Sequence, residues 1–330
     1  MIAKMQNPLV TIIIPSYNHK RWIAQAIESV TSQTYKNIEL IIVDDGSTDG
    51  SREVIEKFHS DPRIKAIFKD QNKGQGHSFN LGISLAKGKY ISILPSDDWY
   101  LPQKTWLQVE KFEKSSKKVG VIYGKGRRFY EDTKTTKEVN MPLRRGNVFL
   151  NFVNDGNFVF PASPMFRKEV FDKYKFDEDF CAEGEAIFTK IAASYEFDYV
   201  DEVVAVMRAH QYNVGNSLVE AHCEEHIKWW EKYLSDPFTR SDARKQKGKI
   251  IGKIRRMHGL SLITELFEYK RARKYLLLSI KNYPGFIFDH KILAGLILTV
   301  LPRSISDKIA IRKKKTEHSF NSIVAHDKFE

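Results

Sequence analysis

The sequence predicts an α/β fold with a mostly parallel central sheet covered by helices, followed by a C-terminal helical extension. Three observations predict it. Over the first hundred residues, apolar runs of strand length alternate with segments of helical spacing. Two of those runs stop abruptly in acids, at Asp44-Asp45 and at Ser96-Asp97-Asp98. Beyond about residue 220, apolar residues at helical spacing alternate with lysine and arginine.

The first strand is predicted over 10–14, rich in β-branched residues and bounded by Pro15. Trp22, Ile23, Ala26, Ile27 and Val30 then recur with helical spacing. The run 38–43, apolar but for Glu39, reads as a strand covered on both faces. Ser47-Thr48-Asp49 offers N-cap chemistry for a helix through Val54, Ile55 and Phe58. A third strand follows over 64–68. The stretch 72–80, with Gly74 and Gly76, reads as a flexible loop, and Phe79, Leu81, Ile83, Leu85 and Ala86 as a helix. The fourth strand is predicted over 90–94. Such alternation implies βαβ units and a parallel sheet. Beyond it come a helix over 104–114, a strand over 119–123, strands near 127–130 and 162–166, helices over 168–174 and 185–193, and an extended segment over 199–207. The expected domains are 1–218 and 219–330.

Composition narrows the class. The 330 residues suffice for one large or two ordinary domains, and 42% hydrophobic content is ordinary for a globular chain. Two cysteines, Cys181 and Cys223, cannot form a disulfide framework, which favours a reducing, cytoplasmic setting. The apolar run near the N-terminus is too short for a secretory signal. The longest apolar stretch, 292–301, covers under half of a bilayer, so no transmembrane helix is expected. The net charge is +12, and almost all of it falls after residue 220. A basic tail attracts something anionic: a membrane face, a nucleic acid or a phosphorylated substrate. Its basic clusters, at 244–256, 271–274 and 312–315, are interleaved with apolar stretches, a pattern suited to an anionic membrane surface. No nucleic-acid fold signature accompanies them, so nucleic acid is not an expected partner.

The acidic strand ends carry the chemistry. In a parallel sheet, strand ends on one edge open onto a common crevice where ligands bind. A carboxylate at 44 or 45 can accept from a nucleobase N–H or a ribose hydroxyl, or cap the next helix. Hard divalent cations take carboxylate oxygens, and one or two suffice when substrate phosphates complete the shell. Tyr17, after the first strand, offers a face for a flat base.

Taken together, segments 10–18 (VTIIIPSYN), 29–35 (SVTSQTY), 43–51 (VDDGSTDGS) and 94–98 (LPSDD) resemble, in order and spacing, the family 2 glycosyltransferases, over roughly residues 8–215. The resemblance implies the GT-A fold, a Rossmann-like sheet. It also implies sugar transfer with inversion from a nucleotide-sugar donor, a UDP-sugar foremost, with Mg²⁺ or Mn²⁺. The acceptor it implies is a saccharide or lipid-linked molecule in cell-surface polysaccharide synthesis, which suits peripheral attachment at the inner face of the cell membrane.

Carried over by position, Pro15 and Tyr17 line the base pocket. Asp45 bonds the base, and Asp44 supports its loop. Ser96 falls where the family has a ribose-contacting or metal-proximal residue, and Asp97 is the metal ligand. Pro95 replaces the usual first aspartate of that motif. Arg208 is implied as a diphosphate contact and His210 as a further metal ligand. In segment 176–193 the family's Glu-Asp pair falls on Glu183 and Gly184. Glycine cannot take the acceptor's proton, so Glu185 or Glu183 is expected as the base, Glu185 preferred. The alternative is a non-catalytic nucleotide-sugar-binding homologue acting with a partner glycosyltransferase, motivated by Gly184 and Pro95.

Overall fold

The computed structural model describes residues 7–178, 183–210, 219–237, 239–264 and 266–310. The chain divides into two compact units, Met1–His222 and Cys223–Glu330.

The first unit opens with β1 (Val10–Ser16), α1 (Ile23–Thr31), β2 (Ile38–Asp44), α2 (Ser51–Glu56), β3 (Ile64–Phe68), α3 (Gln75–Leu85) and β4 (Tyr90–Ile93). It continues with β5 (Trp99–Tyr100), α4 (Lys104–Glu113), β6 (Val119–Tyr130), β7 (Thr135–Val139), α5 (Phe149–Asp155), β8 (Met165–Arg167), α6 (Val170–Lys173), α7 (Glu183–Ala192) and β9 (Glu196–Ala209). All nine strands join one sheet in the order β3-β2-β1-β4-β8-β6-β9-β5, with β7 paired to β6.

The half built from β1 to β4 is parallel throughout, as the βαβ alternation predicts. Side chains on a strand alternate between its faces. Ile12 and Ile14 of β1 join Leu40 and Ile42 of β2 in one core with Ile23, Ala26, Ile27 and Val30 of α1. Ile13 points to the opposite face, against Gly82 of α3, where an added Cβ would lie 2.5 Å from Ile13 Cγ2. Both faces are therefore covered, which is why these strands read as apolar runs interrupted only by Thr11 and Glu39 before their ends.

The other half is mixed. β8 runs antiparallel to both β4 and β6, while β6 and β9 are parallel. The two strands expected near 119–123 and 127–130 are one continuous β6. Helix α3 begins at Gln75, so most of the expected loop 72–80 is helical, with Gly74 before it at φ 90°. The cap expected at 47–49 is displaced: α2 starts at Ser51 after Gly50, and Asp49 Oδ1 accepts from the Ser51 N–H at 3.0 Å.

Lys104, fully buried, donates to Ser92 Oγ at 2.8 Å and Gln108 Oε1 at 2.7 Å, and lies 4.2 Å from the Tyr100 ring. Burial pushes its ammonium well below the ordinary lysine range. It ties β4 and β5 to α4 beneath the acidic loop.

The second unit is helical. Its described elements are most of Val219–Ser235, then Ser241–Lys245, Lys247–Thr264, Tyr269–Asn282, a 3₁₀ turn Pro284–Phe288, His290–Leu298 and the helical residues 303–310. Gly252 and Gly259 let helices Lys247–Thr264 and Tyr269–Asn282 approach closely, since a Cβ there would meet Ser279 O and Leu276 at 2.9 Å. Among the described residues, no helix is long and apolar enough to cross a membrane. The basic cluster 312–315 lies outside the described residues.

Candidate functional site

β3, β2, β1 and β4 run parallel and end on one edge of the sheet. At the β2 end, the Asp45 N–H donates to Ser16 O at 2.7 Å, which locks the chain after β2 to the end of β1. Asp45 Oδ1 accepts from the Lys73 N–H at 2.9 Å and pairs with Lys69 Nζ. None of the described contacts uses Asp45 Oδ2. Asp44, fully buried, accepts from the Ser47 N–H at 3.0 Å and Arg52 Nε at 3.2 Å, both on Oδ1. Its Oδ2 and Ser16 Oγ are buried with no hydrogen-bond partner among the described residues, and Ser16 and Asp44 are register partners. Buried polar atoms of this kind are where a ligand or ordered water finds its bond.

Gly46 follows at φ 78°, and a Cβ there would lie 2.8 Å from the Gln71 carbonyl carbon. Backbone cannot move aside as a flexible side chain would. Gly46→Ala should therefore destabilise the protein by about 1–3 kcal/mol, combining left-handed strain with the clash. A thermal melt checks this, and an unchanged melting temperature would refute the tight turn.

Past β4, Ser96, Asp97 and Asp98 have separate fates. His210 Nε2 donates to Asp97 Oδ2 at 3.1 Å. Burial pushes the Asp97 carboxyl up, but the hydrogen bond from His210 and the charge of His19 outweigh it and hold the group below its ordinary value. Asp98, also buried, accepts from the Arg208 N–H at 2.8 Å. Burial, then the charge of Asp97, pushes it well above the ordinary carboxylate range. Ser96 Oγ is 2.6 Å from His19 Nδ1. His19 also takes its backbone N–H to Ser51 Oγ at 3.0 Å, so the segment after β1 links the loops after β2 and β4. Burial lowers the His19 imidazole more than Asp97 raises it.

Trp22 stacks on His210 with centroids 4.0 Å apart, and its Nε1 donates to Glu131 Oε1 at 3.1 Å. Arg208 is turned inward. Its Nε donates to Asp97 O at 3.1 Å, Nη2 donates to Gln25, Nη1 is 3.8 Å from Glu131, and the guanidinium lies 5.0 Å from the Trp99 ring. Arg208, implied by the resemblance as a diphosphate contact, is 7% exposed in this structure, with its guanidinium engaged behind the acidic loop.

The remaining predicted residues sort plainly. Pro15 is the penultimate residue of β1, opposite Val43, and Tyr17, 44% exposed, follows the strand directly. Glu183 and Glu185 fall in the first turn of α7, but their side chains lie outside the described residues. Residues not foreseen from the sequence are His19, Lys69 and Glu131, and for Asp98 the sequence implies no role apart from its acidic strand end. Lys69 directly follows β3, so the strand-end reasoning applied to β2 and β4 would have found it. Asp98 is adjacent to Asp97, and no signal in the sequence tells which of the two faces inward.

The spacing of this donor set suits a divalent ion. Neighbouring ligands of an octahedral Mg²⁺ at about 2.1 Å lie about 3 Å apart. The 3.1 Å between Asp97 Oδ2 and His210 Nε2 matches such an edge once Nε2 is deprotonated. The described residues contain no group of three potential ligands, so water or phosphate oxygens would complete the shell. One carboxylate and one imidazole fit an ion that is shared with substrate.

A family model described as Glycosyl transferase family 2 matches residues 11–175. An uncharacterized glycosyltransferase of Rickettsia bellii (strain RML369-C) is 32% identical over 243 residues, covering 69% of this chain and 33% of that protein. The chain thus spans about a third of the length of the first curated relatives it matches. Among solved structures, S. aureus TarS 1-349 in complex with UDP-GlcNAc aligns with a TM-score of 0.59 and 17% identity, over 94% of this chain and 92% of that one. Mannosyltransferase PcManGT from Pyrobaculum calidifontis, in complex with GDP-Man and Mn²⁺, aligns with a TM-score of 0.58 and 17% identity, over 92% and 84%. At that identity the structural likeness shows the fold, which is that of GT-A glycosyltransferases.

Proposed function

The chain belongs to glycosyl transferase family 2, and from that premise we propose that it moves a sugar, with inversion, from a nucleotide-sugar donor to a saccharide or lipid-linked acceptor. The proposed donor is foremost a UDP-sugar, and the proposed setting is cell-surface polysaccharide synthesis. One observation carries the reading. Asp45 and Asp97, remote in sequence, follow strands that flank β1 at the same sheet edge. Two strand spacings, about 10 Å, separate such positions, a span suited to a base at one end and phosphates at the other.

In this reading Pro15 and Tyr17 flank the base, and Asp45 accepts its N–H through Oδ2. Asp44 and Gly46 hold the loop that presents Asp45. Ser96 sits between ribose and phosphates, oriented by His19. Asp97 and His210 would hold Mg²⁺ or Mn²⁺, which when bound offsets charge developing on the leaving diphosphate. Arg208 positions Asp97 through its backbone. Glu185, or Glu183, takes the acceptor proton. The Mn²⁺ and nucleotide sugars bound by the two structural neighbours support this reading.

The proposed division is a catalytic domain over 1–218 and a basic helical region over 219–330 that meets an anionic membrane at its cytoplasmic face. Gly184, at the place of the family's base, supports a second reading, a donor-binding homologue that serves a partner transferase.

The test is a panel of UDP-, GDP- and dTDP-sugars with and without Mn²⁺, read by thermal unfolding and by donor turnover. One nucleotide class should raise the apparent stability by about 2.7 kcal/mol at a hundred times its Kd, more strongly with Mn²⁺. Stabilisation with turnover supports the transferase, and stabilisation without it supports the second reading. No shift with any donor would sink both.

A further inference from the structure

The second unit wears its apolar residues unusually. Nine of the fifteen large apolar side chains exposed among the described residues fall between 283 and 309. Phe288 is 87% exposed, Val300 65% and Ile297 57%, with Ile287, Ile305 and Ile309 close behind. They lie on or beside three consecutive pieces, the 3₁₀ turn Pro284–Phe288, helix His290–Leu298 and the helical residues 303–310, with Val300 in the turn between the last two. Each helical piece already has a packed face. Ile292, Gly295 and Thr299 are buried on the first, and Ser306 and Ala310 on the second. The outward face, which water would ordinarily select to be polar, is apolar instead.

The exposed charges within this segment are basic. Lys281, Lys291, Arg303 and Lys308 are exposed. The segment 281–310 contains two acids, and both are engaged with the protein. Asp289 accepts from the Lys291 and Ile292 N–H groups and pairs with Arg256 at 2.5 Å. Asp307 accepts from the Tyr269 hydroxyl at 2.6 Å and lies 3.9 Å from Arg303. An apolar ridge with a basic rim complements a surface that is anionic outside and hydrocarbon beneath. A second copy of the chain is a poorer fit, because a two-fold contact would bring the same basic rim against itself.

We propose that residues 283–309 form a bilayer-insertion edge, with Phe288 and its apolar neighbours among the acyl chains and the flanking lysines and arginine at anionic phospholipid headgroups. This deepens the membrane reading above and rests on it. That reading asks only that the basic region be attracted to the surface. Insertion asks that apolar contact carry part of the affinity, and salt separates the two, since it screens exposed charge but not hydrocarbon burial.

The experiment is flotation of the full chain with phosphatidylcholine vesicles, alone or mixed with phosphatidylglycerol, at low and high salt. It is run on wild type, Phe288→Ser and the pair Ile297→Ser/Val300→Ser. These positions are exposed, so melting temperatures should match wild type and report any misfolding. Wild type should float with the mixed vesicles and retain part of its binding at high salt. Phe288→Ser should bind at least about tenfold more weakly at both salt levels. Binding that high salt abolishes and Phe288→Ser leaves unchanged overturns insertion while the membrane reading stands. No flotation with mixed vesicles at low salt overturns both. Self-association that Phe288→Ser abolishes, without flotation, assigns the ridge to a contact between copies and overturns the proposal.

Discussion

Asp97→Ala should abolish metal-dependent turnover, lowering kcat by about 10²–10³-fold or more, the scale of losing one preorganised group that stabilises transition-state charge. The geometry makes the effect local. Asp97 is held by its own loop, with Arg208 Nε on its backbone oxygen and His210 on its carboxylate. Asp98 and Ser96 keep their own bonds to Arg208 N and His19 Nδ1 when the Asp97 side chain is removed. The loop should therefore survive, and donor binding through Asp45 should persist while the Mn²⁺-dependent part of thermal stabilisation disappears. Asp97→Asn keeps the shape without the charge and should fall almost as far. Initial rates over a range of Mn²⁺ concentrations decide it. A near-wild-type rate in Asp97→Ala would remove this residue, and with it the proposed ion, from the reaction.

The second large effect concerns the start of α7. Replacing the true base with glutamine keeps its size and removes its ability to accept a proton, so kcat should fall by about 10²–10⁴-fold with donor affinity unchanged. Glu185→Gln is expected to show this loss and Glu183→Gln a smaller one. The reverse pattern moves the base to Glu183. If both variants transfer sugar at the wild-type rate, neither is the base, and Gly184 marks a site whose proton leaves by another route. Both rates are read at saturating donor, so that a change in KM is not mistaken for a loss of chemistry.

The parts of the fold legible in the sequence share one physical cause. β1, β2 and β4 are covered on both faces, and such strands are apolar at most positions, here apart from Thr11, Glu39, Ser92 and the strand-end residues Ser16 and Asp44. β7 was illegible for the converse reason: Thr135–Val139 is a largely exposed edge pairing with β6 alone and carries no apolar period. β5 is two residues long, and nothing in Trp99-Tyr100 announces that it pairs with β9. By contrast β8, only three residues long, overlaps the strand expected near 162–166. At the site, Asp45 and Asp97 were legible because acids after apolar runs stand out. The inward turn of Arg208 was not, since it depends on Gln25, Glu131 and Trp99, which come from three other parts of the chain. His19 was hidden in the same way. Its neighbours Ser51 and Ser96 become adjacent only once three strand ends meet.

The bonds from β9 and the residue after it to the acidic loop set an order of events during synthesis. Arg208 N–H to Asp98 and His210 to Asp97 join positions more than a hundred residues apart. The parallel half, β1 to β4, is complete in sequence by residue 93. A ribosome can release all of it, with the base-side loops, while the partners of Asp97 and Asp98 are still untranslated. Loop closure over such a distance is slow compared with local pairing. The nascent chain therefore gains the surface proposed to meet the nucleotide first and the surface proposed to hold the cation last, and a fragment that stops before β9 should be inactive however well its first strands fold.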